Sequence, residues 1–411
     1  MRSVIAVALV TAGCFAPSPP RGLPCGDGDS CPTGQVCLAG VCGGSIVLGP
    51  DAAPEDAMID APPPVPSDIA HLSLQDAQRL TGTRSLSLNV PRTFDTSTLI
   101  ATPAMPSSTT MFVTEQLAGG EIVVIDVNDL TISSDLRVVG SRPLMFVAAG
   151  NVTITGLIDA GGRGSAPGAG GYAGSLGPGA GGDGPEGLTQ NAGGGGGGHA
   201  TNGAAGGASS VIAAGVAGVA YGDAMATSLQ GGSGGGASFS SAGACGLGTG
   251  GGGGGAIQIT ANVITLSGGI RVGGGGGLGG GLCGTRAGAG GGGGAGGLVF
   301  LQATNLSGGG ALSALGGGGG EGGDWIESLA GTDGQDGPHP LSTPALGGAG
   351  GSRCGDGGNG GGLDAPMAGT EPDAGYHSGG GGGGAAGRLV LKIPDDDTVA
   401  ISCVPGCVRG P

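Results

Sequence analysis

The sequence predicts an all-β fold: a parallel β-helix, or solenoid, of about five or six coils with long Gly-rich insertions. A β-sandwich is the alternative architecture. Three observations lead there. Short apolar alternations recur around an asparagine, and their spacing reduces to a unit of about 23 residues. The long Gly-rich stretches enter at the same phase of that unit. A unit so short cannot bury its apolar face alone, whereas stacked units shelter one another.

Taken from the N-terminus, Arg2 is followed by an uninterrupted apolar run, residues 4–10, and then Thr11-Ala12-Gly13-Cys14. The run is far below the roughly 20 residues of a membrane-spanning helix and matches the core of a secretory signal peptide. Small residues directly before a cysteine resemble the lipobox of bacterial lipoproteins. The resemblance implies acylation of Cys14 (palmitate among its lipids) and a mature chain that starts there. Phe15 stands where an inner-membrane lipoprotein carries Asp, so the same resemblance implies the outer membrane, on its surface or its periplasmic face. Ordinary cleavage and free secretion is the alternative.

Cys25, Cys31, Cys37 and Cys42 follow in a segment with too few apolar residues for a core, so residues 14–43 are expected as a disulfide module. Three pairings are open. The intervals of five, five and four residues suit four-cysteine zinc poorly. Cys31-Pro32-Thr33-Gly34-Gln35-Val36-Cys37 is similar to short modules that follow lipoboxes in secreted proteins of Gram-negative soil bacteria. Residues 44–83, acidic and Pro-rich at first, read as an extended linker.

Residues 84–411 form the expected solenoid domain. Its clearest strands are Glu121-Ile122-Val123-Val124-Ile125-Asp126-Val127-Asn128-Asp129-Leu130-Thr131-Ile132 and Ala256-Ile257-Gln258-Ile259-Thr260-Ala261-Asn262-Val263-Ile264-Thr265-Leu266. Aligning the asparagines matches Val123 with Ile257, Ile125 with Ile259, Leu130 with Ile264 and Ile132 with Leu266. Period-2 alternation places them on one strand face. Looser copies surround Asn151 and Asn305, and a last one is Arg388-Leu389-Val390-Leu391-Lys392-Ile393. Asn128, Asn151, Asn262 and Asn305 are the candidates for a stacked turn ladder. Long inserts disfavour the sandwich, whose strands recur about every 8 to 12 residues.

The insertions, residues 161–254, 273–296 and 316–386, hold most of the 107 glycines. Disorder, tight coils, or polyproline-II-like glycine strands packed backbone to backbone are the three outcomes weighed; collagen is excluded because Gly does not hold every third position. Over residues 120–400 the composition resembles the glycine-rich PGRS surface proteins, and the coil pattern resembles glycine-rich β-helical surface lipoproteins. Both imply surface display and adhesion. Cys245 and Cys283 are the preferred disulfide among the insertions, Cys403 and Cys407 bracket Val404-Pro405-Gly406 as a C-terminal pair, and Cys354 is left without a partner.

Chemistry is sparse. A net charge of −16 makes nucleic acid a poor partner. A phosphate loop needs Gly-Lys-Ser/Thr, and Lys392 is the chain's only lysine. No metal site, cofactor or catalytic residue is assigned. Asp333-Gly334-Gln335-Asp336-Gly337 lacks the calcium-loop carboxylate series, and Asp373, His377 and Ser378 are close in sequence only. The expected function is a non-catalytic cell-surface lipoprotein with a structural or adhesive role. Its partners are the membrane and an extracellular polysaccharide or another surface protein. A β-helical lyase or hydrolase acting on polysaccharide, or a calcium-binding surface protein, are the alternatives.

Overall fold

The computed structural model describes residues 68–187, 191–209, 212–238, 248–283, 286–339, 343–351, 353–373, 378–394 and 400–410, and the backbone of 35–38 and 41–44. The chain divides into two compact units, Met1–Ala61 and Pro62–Pro411. In the first, β1 (Gln35–Leu38) and β2 (Val41–Gly44) pair antiparallel, with the Cys37 and Cys42 backbones directly opposite.

The second unit opens on a one-turn helix, α1 (Leu74–Ala77), capped by the Ser73 side chain on the Asp76 N–H. Then come β3 (Leu86–Leu88), β4 (Arg92–Asp95), β5 (Ile100–Thr102), β6 (Thr110–Glu115), β7 (Glu121–Val127), β8 (Leu130–Ile132), β9 (Leu136–Val139), β10 (Leu144–Ala148), β11 (Asn151–Ile154) and β12 (Leu157–Asp159). After a long Gly-rich stretch follow β13 (Ala256–Leu266), β14 (Gly269–Arg271), β15 (Leu282–Cys283), β16 (Arg286–Ala287), β17 (Leu298–Ser307), β18 (Ala311–Ser313), β19 (Arg388–Lys392), β20 (Ser402–Val404) and β21 (Val408–Arg409).

These strands build a ten-stranded sheet along β6-β7-β10-β13-β17-β19-β21, from which β3, β8 and β11 branch, and a seven-stranded sheet in the order β5-β4-β9-β12-β14-β18-β20. The expected parallel β-helix is therefore corrected, and the β-sandwich with it: the described residues form mixed parallel and antiparallel sheets with almost no helix. Two findings overturn the solenoid. Antiparallel pairs, β6 with β7 and β4 with β5, stand at one end of each sheet. The Gly-rich stretches, expected as insertions beside the coils, form a hydrogen-bonded body of their own.

Apolar columns run between the sheets. Val123, Leu144, Ile257, Val299 and Leu389 occupy one register, and Ile125, Phe146, Ile259, Leu301 and Leu391 the next inward one. All ten lie in the main core, each contributing about 1.5–3 kcal/mol by burial. The opposite face of the larger sheet is also apolar (Ile122, Val124, Met145, Val147, Phe300, Val390), which is why β7 and β10 read as nearly unbroken apolar runs. Ile69, Leu72 and Leu80 cover that face, so residues 68–83 belong to the folded unit rather than to the linker expected over 44–83. Two buried glutamines pin them. Gln258 Nε2 donates to the Ala70 carbonyl, and Gln302 Oε1 accepts the Ala70 N–H, each at 3.0 Å.

Over the described residues, the glycine stretches take the third of the outcomes weighed above. Along residues 193–198, successive N–H groups turn to three different neighbours. Gly193 and Gly196 donate to Gly207 and Ala204, Gly194 and Gly197 to Gly290 and Gly293, and Gly195 and Gly198 to Gly182 and Gly179. Residues 316–323 repeat the scheme, as do residues 379–387. A period of three is that of polyproline II, three residues per turn with no internal hydrogen bond. A strand of this kind satisfies its backbone only when other strands surround it. Close approach demands glycine: a Cβ on Gly292 would stand 2.0 Å from the Gly195 carbonyl oxygen. The bundle is continuous with the sheets, since residues 248–255 run into β13, residues 288–297 into β17 and residues 378–387 into β19.

Candidate functional site

On the outward face of the seven-stranded sheet one register carries Thr93, Arg137, Asp159, Arg271 and Ser313 on β4, β9, β12, β14 and β18. The residues beside them, Leu136, Ile158, Ile270 and Leu312, point into the core, so strand alternation alone turns the polar row outward. Three guanidinium groups converge on the Asp159 carboxylate. Arg137 and Arg271 reach Oδ1 at 2.9 Å, and Arg163, four residues along the chain, reaches Oδ2 at 2.7 Å. The Gly161 N–H adds a bond to Oδ1 at 3.0 Å. Burial would push the Asp159 carboxyl up, but Arg271 and Arg137, with the Arg163 and Gly161 hydrogen bonds, hold it below the usual carboxylate range. Burial also lowers Arg137, opposed by Asp159 and reinforced by its two cationic neighbours.

The row is closed on one side and open on the other. Arg271 Nε donates to the Gly337 carbonyl at 2.6 Å, and the Ser313 hydroxyl to the Pro338 carbonyl at 2.9 Å. His339 lies against Gly269, where a Cβ would come within 2.4 Å of the ring, and its buried Nδ1 has no hydrogen-bond partner. Burial, then Arg271, lowers its pKa, with Asp159 acting the other way. Arg163 is 60% exposed and Arg137 16%, against 9% for Arg271. The Arg163 end therefore meets solvent.

A second locus is a cleft of about 470 Å³ on the outer face of the larger sheet, bordered by the exposed Leu117 and Met225 and floored by Phe300 and Val390. His71, with a left-handed φ of 67°, forms one wall. Its ring nitrogens face the Gln258 Oε1 at 2.6 Å and the Ala226 carbonyl, and the ring meets Phe300 edge-on at 4.8 Å. These partners are all internal, so the ring anchors residues 68–72 to the sheet.

Of the residues singled out from sequence, Cys14, Cys25, Cys31, Cys245 and His377 lie outside the described residues, as do the side chains of Cys37, Cys42 and Cys283. Cys403 and Cys407 are disulfide-bonded, and Cys354 is free and buried. The asparagines form no ladder, which corrects that expectation. Asn128 and Asn262 share a column but are separated by Ala149-Gly150: Asn262 Nδ2 donates to the Ala149 carbonyl at 2.6 Å, and Asn128 Nδ2 to Asp129 at 2.9 Å. Asn151 and Asn305 flank Val263 one register further on. An extra residue at the turn between β10 and β11 shifts that coil, so identical amides never stack. Asp333 and Asp336 accept the N–H groups of Gly279, Gly164 and Gly276, tying glycine strands together. Among the described residues no group of three or more His, Cys, Asp or Glu side chains is placed to hold a metal ion, and no helix is long and apolar enough to cross a membrane.

Sequence reasoning missed the arginine row. Its signal is a short motif of aliphatic, polar, aliphatic and glycine: Ile158-Asp159-Ala160-Gly161, Ile270-Arg271-Val272-Gly273 and Leu312-Ser313-Ala314, each leading into a glycine strand. Comparison with protein-family models, curated proteins and solved structures finds no match.

Proposed function

We propose that this chain is a non-catalytic cell-surface lipoprotein with a structural or adhesive role, tethered to the outer membrane through Cys14. The observation that carries the reading is the glycine bundle. A large part of the chain is committed to backbone packed on backbone, an arrangement that gives a stiff body with few side chains available for chemistry. The apolar run of residues 4–10 and the small residues before Cys14 support the tether. Several acyl chains at about 0.8 kcal/mol per buried methylene hold such a body firmly.

The test is fractionation of cells that express the full chain and its Cys14→Ser variant, with protease added to intact cells. The proposal expects the parent in the outer-membrane fraction and open to protease, the variant released, and attachment of cells to surfaces reduced when the gene is deleted. Equal membrane retention of the variant defeats the tether, and unchanged attachment defeats the adhesive role.

A further inference from the structure

We infer that the Arg137–Asp159–Arg271 row with Arg163 is a binding site for a doubly charged tetrahedral oxyanion: phosphate, sulfate or a phosphate monoester. The site goes beyond the surface role above and does not depend on it.

Charge is the first argument. Three guanidinium groups share one carboxylate, and among the described residues no second acidic side chain pairs with any of them. One positive charge is left over between the largely buried Arg137 and Arg271, and the exposed Arg163 adds a second at the solvent edge, within a chain that has only 14 basic residues and a net charge of −16. A structural ladder of alternating charges needs no third arginine. Arg137, Asp159 and Arg271 already alternate across adjacent strands at 2.9 Å, and a buried excess of charge is costly unless something neutralises it. A dianion matches the excess.

Donor geometry is the second. The Asp159 carboxylate oxygens are occupied by four donors, and Arg137 Nη1 also reaches the Asp159 backbone carbonyl at 3.4 Å, so the Arg163 N–H groups beyond its one bond to Asp159 are available to a further acceptor. Guanidinium forks present paired donors to phosphate and sulfate oxygens. The third argument is access. Arg163 is 60% exposed, so an anion can enter beside it, or reach it as the terminal group of a larger molecule. The acidic remainder of the chain repels extended polyanions, which favours a single dianionic group over a polymer of charges.

The experiment is titration calorimetry on the full chain at pH 7.5 with sodium phosphate, sodium sulfate and glucose 6-phosphate, each against sodium chloride of equal ionic strength. Two variants accompany it: Arg163→Gln, at an exposed side chain, and Arg353→Gln, an exposed arginine outside the row. The expected result is one saturable site for phosphate and sulfate, weakened roughly tenfold or more in Arg163→Gln and unchanged in Arg353→Gln. Glucose 6-phosphate binding as well as phosphate assigns the site to an esterified group; binding of the inorganic ions alone assigns it to the free ion. No heat beyond the chloride control, or equal affinity in Arg163→Gln and the parent, overturns the proposal. Because the assay uses purified protein, its failure leaves the surface role standing, and mislocalisation of the chain leaves the anion site standing.

Discussion

Replacing Gly292 by alanine tests whether the glycine bundle is packed as described. The new Cβ would lie 2.0 Å from the Gly195 oxygen, 2.4 Å from its carbonyl carbon and 2.9 Å from Gly196 N. All three are backbone atoms, so no rotamer change relieves the contact. The strand of residues 193–198 must move, and that strand donates hydrogen bonds to three neighbours. Inserting a methyl into a well-packed core typically costs about 1–3 kcal/mol; with backbone on the other side, the upper end, about 3 kcal/mol, is the expectation. In a folded unit as long as Pro62–Pro411 that lowers Tm by roughly 4 °C. Gly309→Ala is the control, because a Cβ there meets nothing within 4 Å, and reduced freedom of the unfolded chain makes it neutral or slightly stabilising. Differential scanning calorimetry of the two variants against the parent decides the matter. If Gly292→Ala melts within a degree of Gly309→Ala, the strands are not in backbone contact and the bundle reasoning fails.

Two more outcomes follow from groups buried within it. His199 is pushed down to about 3, first by burial and then by Arg388, while its ring nitrogen bonds the Gly296 carbonyl at 2.7 Å. The folded state therefore holds it neutral where the unfolded chain takes a proton. Its contribution is complete above the unfolded value of 6.5 and is lost as pH falls from 6.5 toward 3, at about 1.4 kcal/mol per pH unit. Urea midpoints measured from pH 7 to 5 should show a slope that His199→Gln reduces, the remainder coming from His339, whose pKa is also lowered. Cys354 has its thiol pushed up to about 12, first by burial and then by Asp324 and Glu321, so at pH 8 it should resist iodoacetamide in the native protein and react once unfolded, read by peptide mass spectrometry; modification at equal rates in both states contradicts the burial.

The legible part of the fold was its columns. Val123 and Ile257, matched in the sequence, both flank Leu144, and Leu130 and Ile264 both flank Val152, because inward aliphatic residues repeat in type as well as spacing. The sheet's end strands were not legible: β6 turns back on β7 without any residue that distinguishes an antiparallel partner from a parallel one. The glycine strands escaped assignment because their fold is encoded by the absence of side chains, and periodicity has nothing to count. The arginine row was hidden for another reason. Asp159, Arg271 and Ser313 differ in chemistry and lie 112 and 42 positions apart in the sequence, so only three-dimensional register shows them as one line.

The three-residue period of the bundle has a consequence for assembly. A glycine strand that slides by three positions past its neighbours recovers an equivalent set of backbone hydrogen bonds, so within the bundle alignment is marked only by scattered side chains such as Asp333, Asp336 and His199. The rest of that information sits in β13, β17 and β19, whose inward apolar side chains share one register. Each sheet strand thus acts as a ruler for the polyglycine segment fused to it.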